Sequence, residues 1–128
     1  MMKVSTEIKI ALLEDDQGIR DLLIMIFEHE NYQVLAFDSV KSFHAGMRGN
    51  KADIFLLDVM LPDGNGMEVC EKLKSTDETA QTPVIMMSAH ADLQRMKKMC
   101  KANDYIGKPF DIYTLNEKIR QNMLFTNK

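Results

Sequence analysis

Apolar residues recur along this chain in two alternating rhythms. Ile8 to Leu13 is a short, mostly apolar run that stops abruptly at Glu14-Asp15-Asp16, and Ile19, Leu22, Leu23, Ile26 and Phe27 follow at helical spacing. The pair predicts strand, loop, helix. The unit then returns: Tyr32 to Phe37 precedes Val40, Phe43 and Met47, and Ile54 to Leu57 precedes Val69 and Leu73. Two more follow, with Val84 to Met87, opened by Pro83, before Leu93, Met96 and Cys100, and with Tyr105-Ile106 before Leu115, Ile119 and Met123. Interior strands apolar on both faces, alternating with helices, predict an α/β fold in which five helices cover both sides of a doubly wound, five-stranded parallel sheet. Polar, turn-rich connections at Asn50-Lys51, Asp63-Gly64-Asn65-Gly66 and 75–82 agree with this division, and Asp111 is placed to cap the last helix.

Composition narrows the picture. A chain of 128 residues, 45% apolar and 27% charged, suits one domain over residues 1–128 with its core from about 8 to 124, and leaves no room for an output domain. Nineteen acidic against 16 basic residues leave a formal charge of -3, which disfavours direct nucleic-acid binding. The longest apolar run, Leu22 to Phe27, falls far short of the roughly 20 residues that span a bilayer, and the start shows no apolar signal core, so no membrane insertion and a cytoplasmic location are expected. Cys70 and Cys100 lie far apart in sequence, without a CxxC partner or nearby His, and are expected as two reduced thiols rather than a zinc site or disulfide. Eleven methionines supply adaptable filling to a core without tryptophan.

In open parallel sheets, ligands bind beyond the carboxyl ends of the strands. Here the first strand ends in Glu14-Asp15-Asp16, the third in Asp58 and the fourth in Ser88, while the fifth leads to Lys108-Pro109. Carboxylates about 4 Å apart repel by about 4 kcal/mol at an effective dielectric near 20, so such a cluster calls for a counter-cation. Mg²⁺ suits it, with hard oxygen ligands and retained waters, and Lys108 adds a second positive charge. The acidic loop also excludes a nucleotide or flavin phosphate, which needs amide-rich turns. Each piece alone has a plainer reading: an acidic helix start, a serine cap, a Lys-Pro turn. Their coincidence at four strand ends is what points to a site.

With these residues in view, the sequence resembles the receiver (response regulator) domain family. Ile10 to Asp16 (IALLEDD), Phe55 to Gly66 (FLLDVMLPDGNG), Pro83 to His90 (PVIMMSAH) and Asn103 to Phe110 (NDYIGKPF) carry the resemblance, which spans Ile8 to about Leu124. It implies a flavodoxin-like receiver fold with strand order 2-1-3-4-5, Asp58 as phosphoacceptor, Ser88 as switch hydroxyl, Tyr105 as switch aromatic and Lys108 as the catalytic lysine. It also implies Mg²⁺ on Asp15, Asp58 and the Met60 main-chain carbonyl, with Glu14 acting through water, and a cis Lys108-Pro109 bond. Lys101 stands where the family commonly has glycine, and Ser88 where threonine is more frequent.

The function so implied is a two-component phosphoacceptor. A sensor histidine kinase or histidine phosphotransfer protein gives its phosphoryl group to Asp58, and the face of the fourth helix, fifth strand and fifth helix then changes to engage a downstream protein. Slow autodephosphorylation and no turnover of an external substrate are expected. Two other readings stand beside it. An aspartyl-nucleophile phosphatase of haloacid-dehalogenase type requires a second Asp two residues after the nucleophile, where this chain has Met60. A phosphorylation-independent interaction module would usually lack part of the acidic pair, the acceptor or the lysine. Tyr105 also reads as a half-buried strand aromatic, His90 as a surface bystander, and Arg95, Lys97, Lys98 and Lys101 as a solvated basic helix face rather than a dock for an acidic partner. His29 and His44 are expected on helices away from the site, in solvent.

Overall fold

The computed structural model describes residues 7–89 and 100–126. The elements run β1 (Lys9–Leu13), α1 (Gln17–His29), β2 (Gln33–Phe37), α2 (Val40–Met47), β3 (Ile54–Asp58), β4 (Met60–Leu61), β5 (Gly64–Asn65), α3 (Gly66–Ser75), β6 (Val84–Ser88), β7 (Asp104–Gly107) and α4 (Ile112–Thr126). The main sheet has the order β2-β1-β3-β6-β7 and is parallel throughout. Numbered among the main strands alone, this is the expected 2-1-3-4-5. Two features differ from expectation. The Asp63-Gly64-Asn65-Gly66 turn closes a small antiparallel pair, β4 with β5. Four helices are described rather than five: Leu93 and Met96, assigned to the remaining helix, lie outside the described residues, and Cys100 sits in irregular chain.

The period-2 alternation of each interior strand divides the core into two layers. Ile10 and Leu12, Ile54 and Leu56, and Ile85 and Met87 face α1 and α4, where Leu23, Phe27, Leu115, Ile119 and Met123 pack on them. Ala11 and Leu13, Phe55 and Leu57, and Val84 and Met86 face α2 and α3, meeting Phe43, Met67, Val69 and Cys70. The edge strands β2 and β7 are only partly buried, because each has a neighbour on one side alone. Side-chain caps start the helices: Asp16 accepts the Ile19 N–H, Asn65 that of Met67, and Asp111, as expected, that of Thr114. Among the described residues no helix is long and apolar enough to cross a membrane.

Two expectations are corrected. Cys70 on α3 and Cys100 ahead of β7 are paired as a disulfide, with their Cα atoms 6.2 Å apart, rather than standing as separate thiols. Both belong to the same core layer, although 30 residues separate them in sequence. His44 is half-buried with its ring edge-on to Phe43, instead of free in solvent, and burial together with the nearby Lys72 charge lowers its pKa.

Candidate functional site

Parallel register brings the strand ends together. Leu13 lies opposite Leu57, Asp58 opposite Met87, and Ser88 opposite Gly107, so Glu14, Asp58, Ser88 and Lys108 emerge along one edge. The strand order reverses at β1 and β3, and Glu14 and Asp58 stand at the ends of those two strands. They border a cleft of about 570 Å³ that Asp15, Met60, Ser88 and Lys108 also line.

Lys108 is the hub. Its Nζ donates to Glu14 Oε1 at 2.5 Å and to Asp58 Oδ2 at 3.0 Å. Glu14 is fully buried, whereas the Asp58 side chain keeps 9% exposure and Lys108 13%, so Asp58 is reached from the cleft and Glu14 is not. The other Glu14 oxygen, Oε2, accepts the Asp16 N–H at 3.0 Å. Burial pushes the Glu14 carboxyl up, the hydrogen bonds from Lys108 and Asp16 pull it back, and the neighbouring Asp58 charge raises it again, leaving it above the usual range. For Lys108, burial acts to lower the pKa but is outweighed by the hydrogen bonds and charges of Glu14 and Asp58, so the ammonium is held more firmly charged. The Lys108-Pro109 bond is cis, as the family resemblance implies. The Lys108 N–H donates to the Ser88 carbonyl at 2.6 Å, tying the loop after β7 to the end of β6.

Carboxylate oxygens of Glu14, Asp15 and Asp58 all lie within 4.8 Å of one another. Hard oxygen donors in this number fit Mg²⁺. Glu14, with both oxygens engaged, is the least free to ligate directly, whereas Asp15 is exposed. Met60, 73% exposed at the start of β4, borders the same cleft. Tyr105 is not at this site. It lies on β7 opposite Met86, packs against the second core layer and donates its hydroxyl to the Cys100 carbonyl at 2.5 Å. His90, Arg95, Lys97 and Lys98 lie outside the described residues, and Lys101 is exposed.

Three residues emerge only from the structure. Arg20, one turn into α1, donates Nη1 to the carbonyls of Glu14 (2.9 Å) and Asp15 (3.2 Å), clasping the acidic loop. Asp63 accepts the Val40 and Lys41 N–H groups at 2.8 and 2.9 Å, fastening the loop beyond Asp58 to the start of α2. Gly66 opens α3 against the backbone of Asp58: a Cβ there would overlap the Asp58 carbonyl oxygen. A basic residue following an acidic run and a DGNG turn are visible signals for these roles, but each fits many unrelated contexts.

Comparison with known proteins bears on the family. A family model described as "Response regulator receiver domain" matches residues 10–120. The response regulator ArlR of Staphylococcus saprophyticus is 36% identical over 115 residues, covering 88% of this chain and 50% of ArlR. The phosphate regulon transcriptional regulatory protein PhoB of Pseudomonas aeruginosa is 32% identical over 103 residues, 79% of this chain and 45% of PhoB. The chain thus spans about half the length of the curated relatives it matches. A CheY-like response regulator receiver domain protein of Methanospirillum hungatei superposes with a TM-score of 0.86 at 27% identity, over 94% of this chain and 97% of that one. With the sheet order, the clustered carboxylates and the shared lysine already in place, the extent of these matches shows that the chain belongs to the response regulator receiver domain family.

Proposed function

We propose that Asp58 of this receiver domain accepts a phosphoryl group from a phosphohistidine on a sensor histidine kinase or histidine phosphotransfer protein. The observation that carries this reading is the Lys108 ammonium shared between Asp58 and the buried Glu14 at the carboxyl edge of the sheet. An Asp58 carboxylate oxygen attacks phosphorus in line, the P–N bond to the donor imidazole breaks, and the imidazole leaves with its electron pair. Lys108 holds the attacking carboxylate in place and lies beside the developing charge on the transferred group. Glu14 keeps Lys108 oriented from behind, and Arg20 keeps the acidic loop against the strand end.

Asp15, Asp58 and the Met60 carbonyl would hold Mg²⁺, with Glu14 reaching it through water. When bound, Mg²⁺ supplies positive charge to the phosphoryl oxygens. The product is an acyl phosphate, which water hydrolyses slowly, with no turnover of an external substrate. Met60 stands where a haloacid-dehalogenase-like phosphatase carries its acid/base Asp, so the chain has no general acid two residues beyond the acceptor.

The Ser88 hydroxyl, at the end of β6, would donate to the new phosphoryl oxygens, a bond worth about 1.5–3 kcal/mol to a charged acceptor. Movement there is transmitted to Tyr105 and to the surface of β7 and α4, where a downstream protein engages; the expected helix between β6 and β7, part of the same face, lies outside the described residues. On this reading the domain acts in a two-component system in the cytoplasm.

The test is labelling by acetyl phosphate with Mg²⁺, followed by intact mass. Wild type should gain a single, base-labile phosphoryl group and Asp58→Asn none. Undiminished labelling of Asp58→Asn would overturn the assignment.

A further inference from the structure

The described residues hold a second pair of reactive groups, on the opposite core layer from α1 and α4 and apart from the acidic cleft. Cys70, near the middle of α3, and Cys100, in the chain leading to β7, are paired across 6.2 Å between Cα atoms, a span within the usual 4.4–6.8 Å range for disulfides. Cys70 is fully buried and Cys100 is 3% exposed. The Cys100 residue has a second engagement, because its carbonyl accepts the Tyr105 hydroxyl at 2.5 Å. The Tyr105 ring packs in the same layer as both cysteines. One residue therefore carries both the cross-link to α3 and the hydrogen bond to Tyr105.

We propose that Cys70 and Cys100 form a peroxide-oxidised, dithiol-reduced disulfide site that anchors the Tyr105 acceptor to α3 and so restrains the response of Tyr105 to phosphorylation at Asp58. The coupling half of this inference rests on the phosphoacceptor reading above; the disulfide half does not. Cys100, the only member of the pair with any exposure, is the sulfur a small oxidant reaches. Its thiolate attacks one oxygen of hydrogen peroxide and the O–O bond breaks, giving a sulfenic acid and, after protonation, water. The Cys70 sulfur then attacks the Cys100 sulfur, the S–O bond breaks and a second water leaves. In sum, two thiols and one peroxide become one disulfide and two waters. A small dithiol reverses the change by exchange.

With the bond formed, displacement of the Cys100 carbonyl requires α3 to follow. With it open, among the described residues the segment from Cys100 to β7 meets the α3 layer through packing. Oxidation should therefore disfavour any state in which the Tyr105 hydroxyl leaves its acceptor. By linkage, whatever favours that state should bind the oxidised protein more weakly.

The experiment compares the full chain after hydrogen peroxide with the same chain after dithiothreitol. Reactive thiols are counted by maleimide labelling in denaturant: two are expected after reduction and none after oxidation, at the mass of a monomer. Amide exchange without any phosphoryl mimic should be slower in peptides covering Cys100 to Ile106 of the oxidised form. Beryllofluoride titration should show an apparent affinity about fivefold weaker for the oxidised form, the lower end of ordinary coupling energies. Cys70→Ala should bind beryllofluoride like reduced wild type and should not respond to peroxide in the titration.

Two thiols still counted after peroxide would overturn the site. A disulfide with unchanged exchange and unchanged beryllofluoride affinity would overturn the coupling. Loss of acetyl phosphate labelling at Asp58 in both redox states would instead sink the phosphoacceptor reading and the coupling with it, while the thiol count still decides the disulfide. Because both redox states are compared in wild type, a poorly folded Cys70→Ala does not affect the outcome.

Discussion

Replacing Lys108 by Met tests whether the site is held together by a shared cation. The substitution keeps much of the side-chain volume and removes the charge that contacts both Glu14 and Asp58. At 3.0 Å, the Asp58 contact amounts to about 5–6 kcal/mol of attraction at an effective dielectric near 20. Much of this is offset in wild type by desolvation of the three groups. Removing one partner of a buried pair costs about 3–5 kcal/mol, because the remaining charge is left uncompensated. Partial exposure of Asp58 and Lys108 places this site at the lower end, about 3 kcal/mol, or about 10 °C in Tm for a domain of this size.

The loss should depend on pH. The Glu14 pKa is already raised above 4.5, by burial first, and should rise further without Lys108. A carboxyl whose folded pKa is raised stabilises fully below its unfolded value, and that contribution is lost as pH rises through the folded value. The deficit of Lys108→Met should therefore be largest at neutral pH and shrink as pH falls toward 4.5, where Glu14 becomes neutral and needs no partner. Thermal unfolding of both proteins from pH 7.5 to 4.5 measures it, and millimolar Mg²⁺ should restore part of the neutral-pH loss. A variant as stable as wild type at pH 7.5, or a deficit constant across this range, would refute the shared-cation account.

Gly66→Ala should cost about 3 kcal/mol in chemical denaturation and slow labelling by acetyl phosphate, because the new Cβ overlaps the Asp58 carbonyl and displaces Asp58, the proposed acceptor; labelling at the wild-type rate would show that the strand end does not move. Asp63→Ala should lower stability at neutral pH by uncapping α2. The Asp63 pKa is held below 3.8 by the Lys41 and Val40 N–H groups, so its contribution is present above that value and lost as pH falls through the lower folded value. Thermal melts of wild type and Asp63→Ala should converge in acid, and a gap that persists there would contradict the capping role.

The alternation of apolar runs was enough to place the five strands and to separate interior strands from helices, because burial on both faces leaves β1, β3 and β6 nearly without polar residues. The convergence of polar groups at the strand ends is equally legible. A carboxylate or lysine directly after a buried strand has one place to go in a parallel sheet, and Glu14, Asp58 and Lys108 converge there. Residues acting through the backbone were hidden. Arg20 binds carbonyls and Gly66 matters for what it lacks, so neither side-chain type announces its role. Asp63 was readable as a turn residue, yet it caps a helix 22 and 23 residues earlier, a relation that no local window contains.

The cysteines mark the boundary most sharply. Local spacing gives Cys70 and Cys100 no metal-binding motif, but it is silent on their distance through space. Strand order and crossover decide which helix lies over which loop, and those are properties of the assembled sheet. Sequence by itself determined the alternation of elements and the groups at the strand ends, since both follow from which residues tolerate burial. Tertiary structure alone decided the sharing of Lys108 between two acids, the clasp of Arg20 and the meeting of the two sulfurs, since each depends on the relative placement of segments that sequence order leaves far apart.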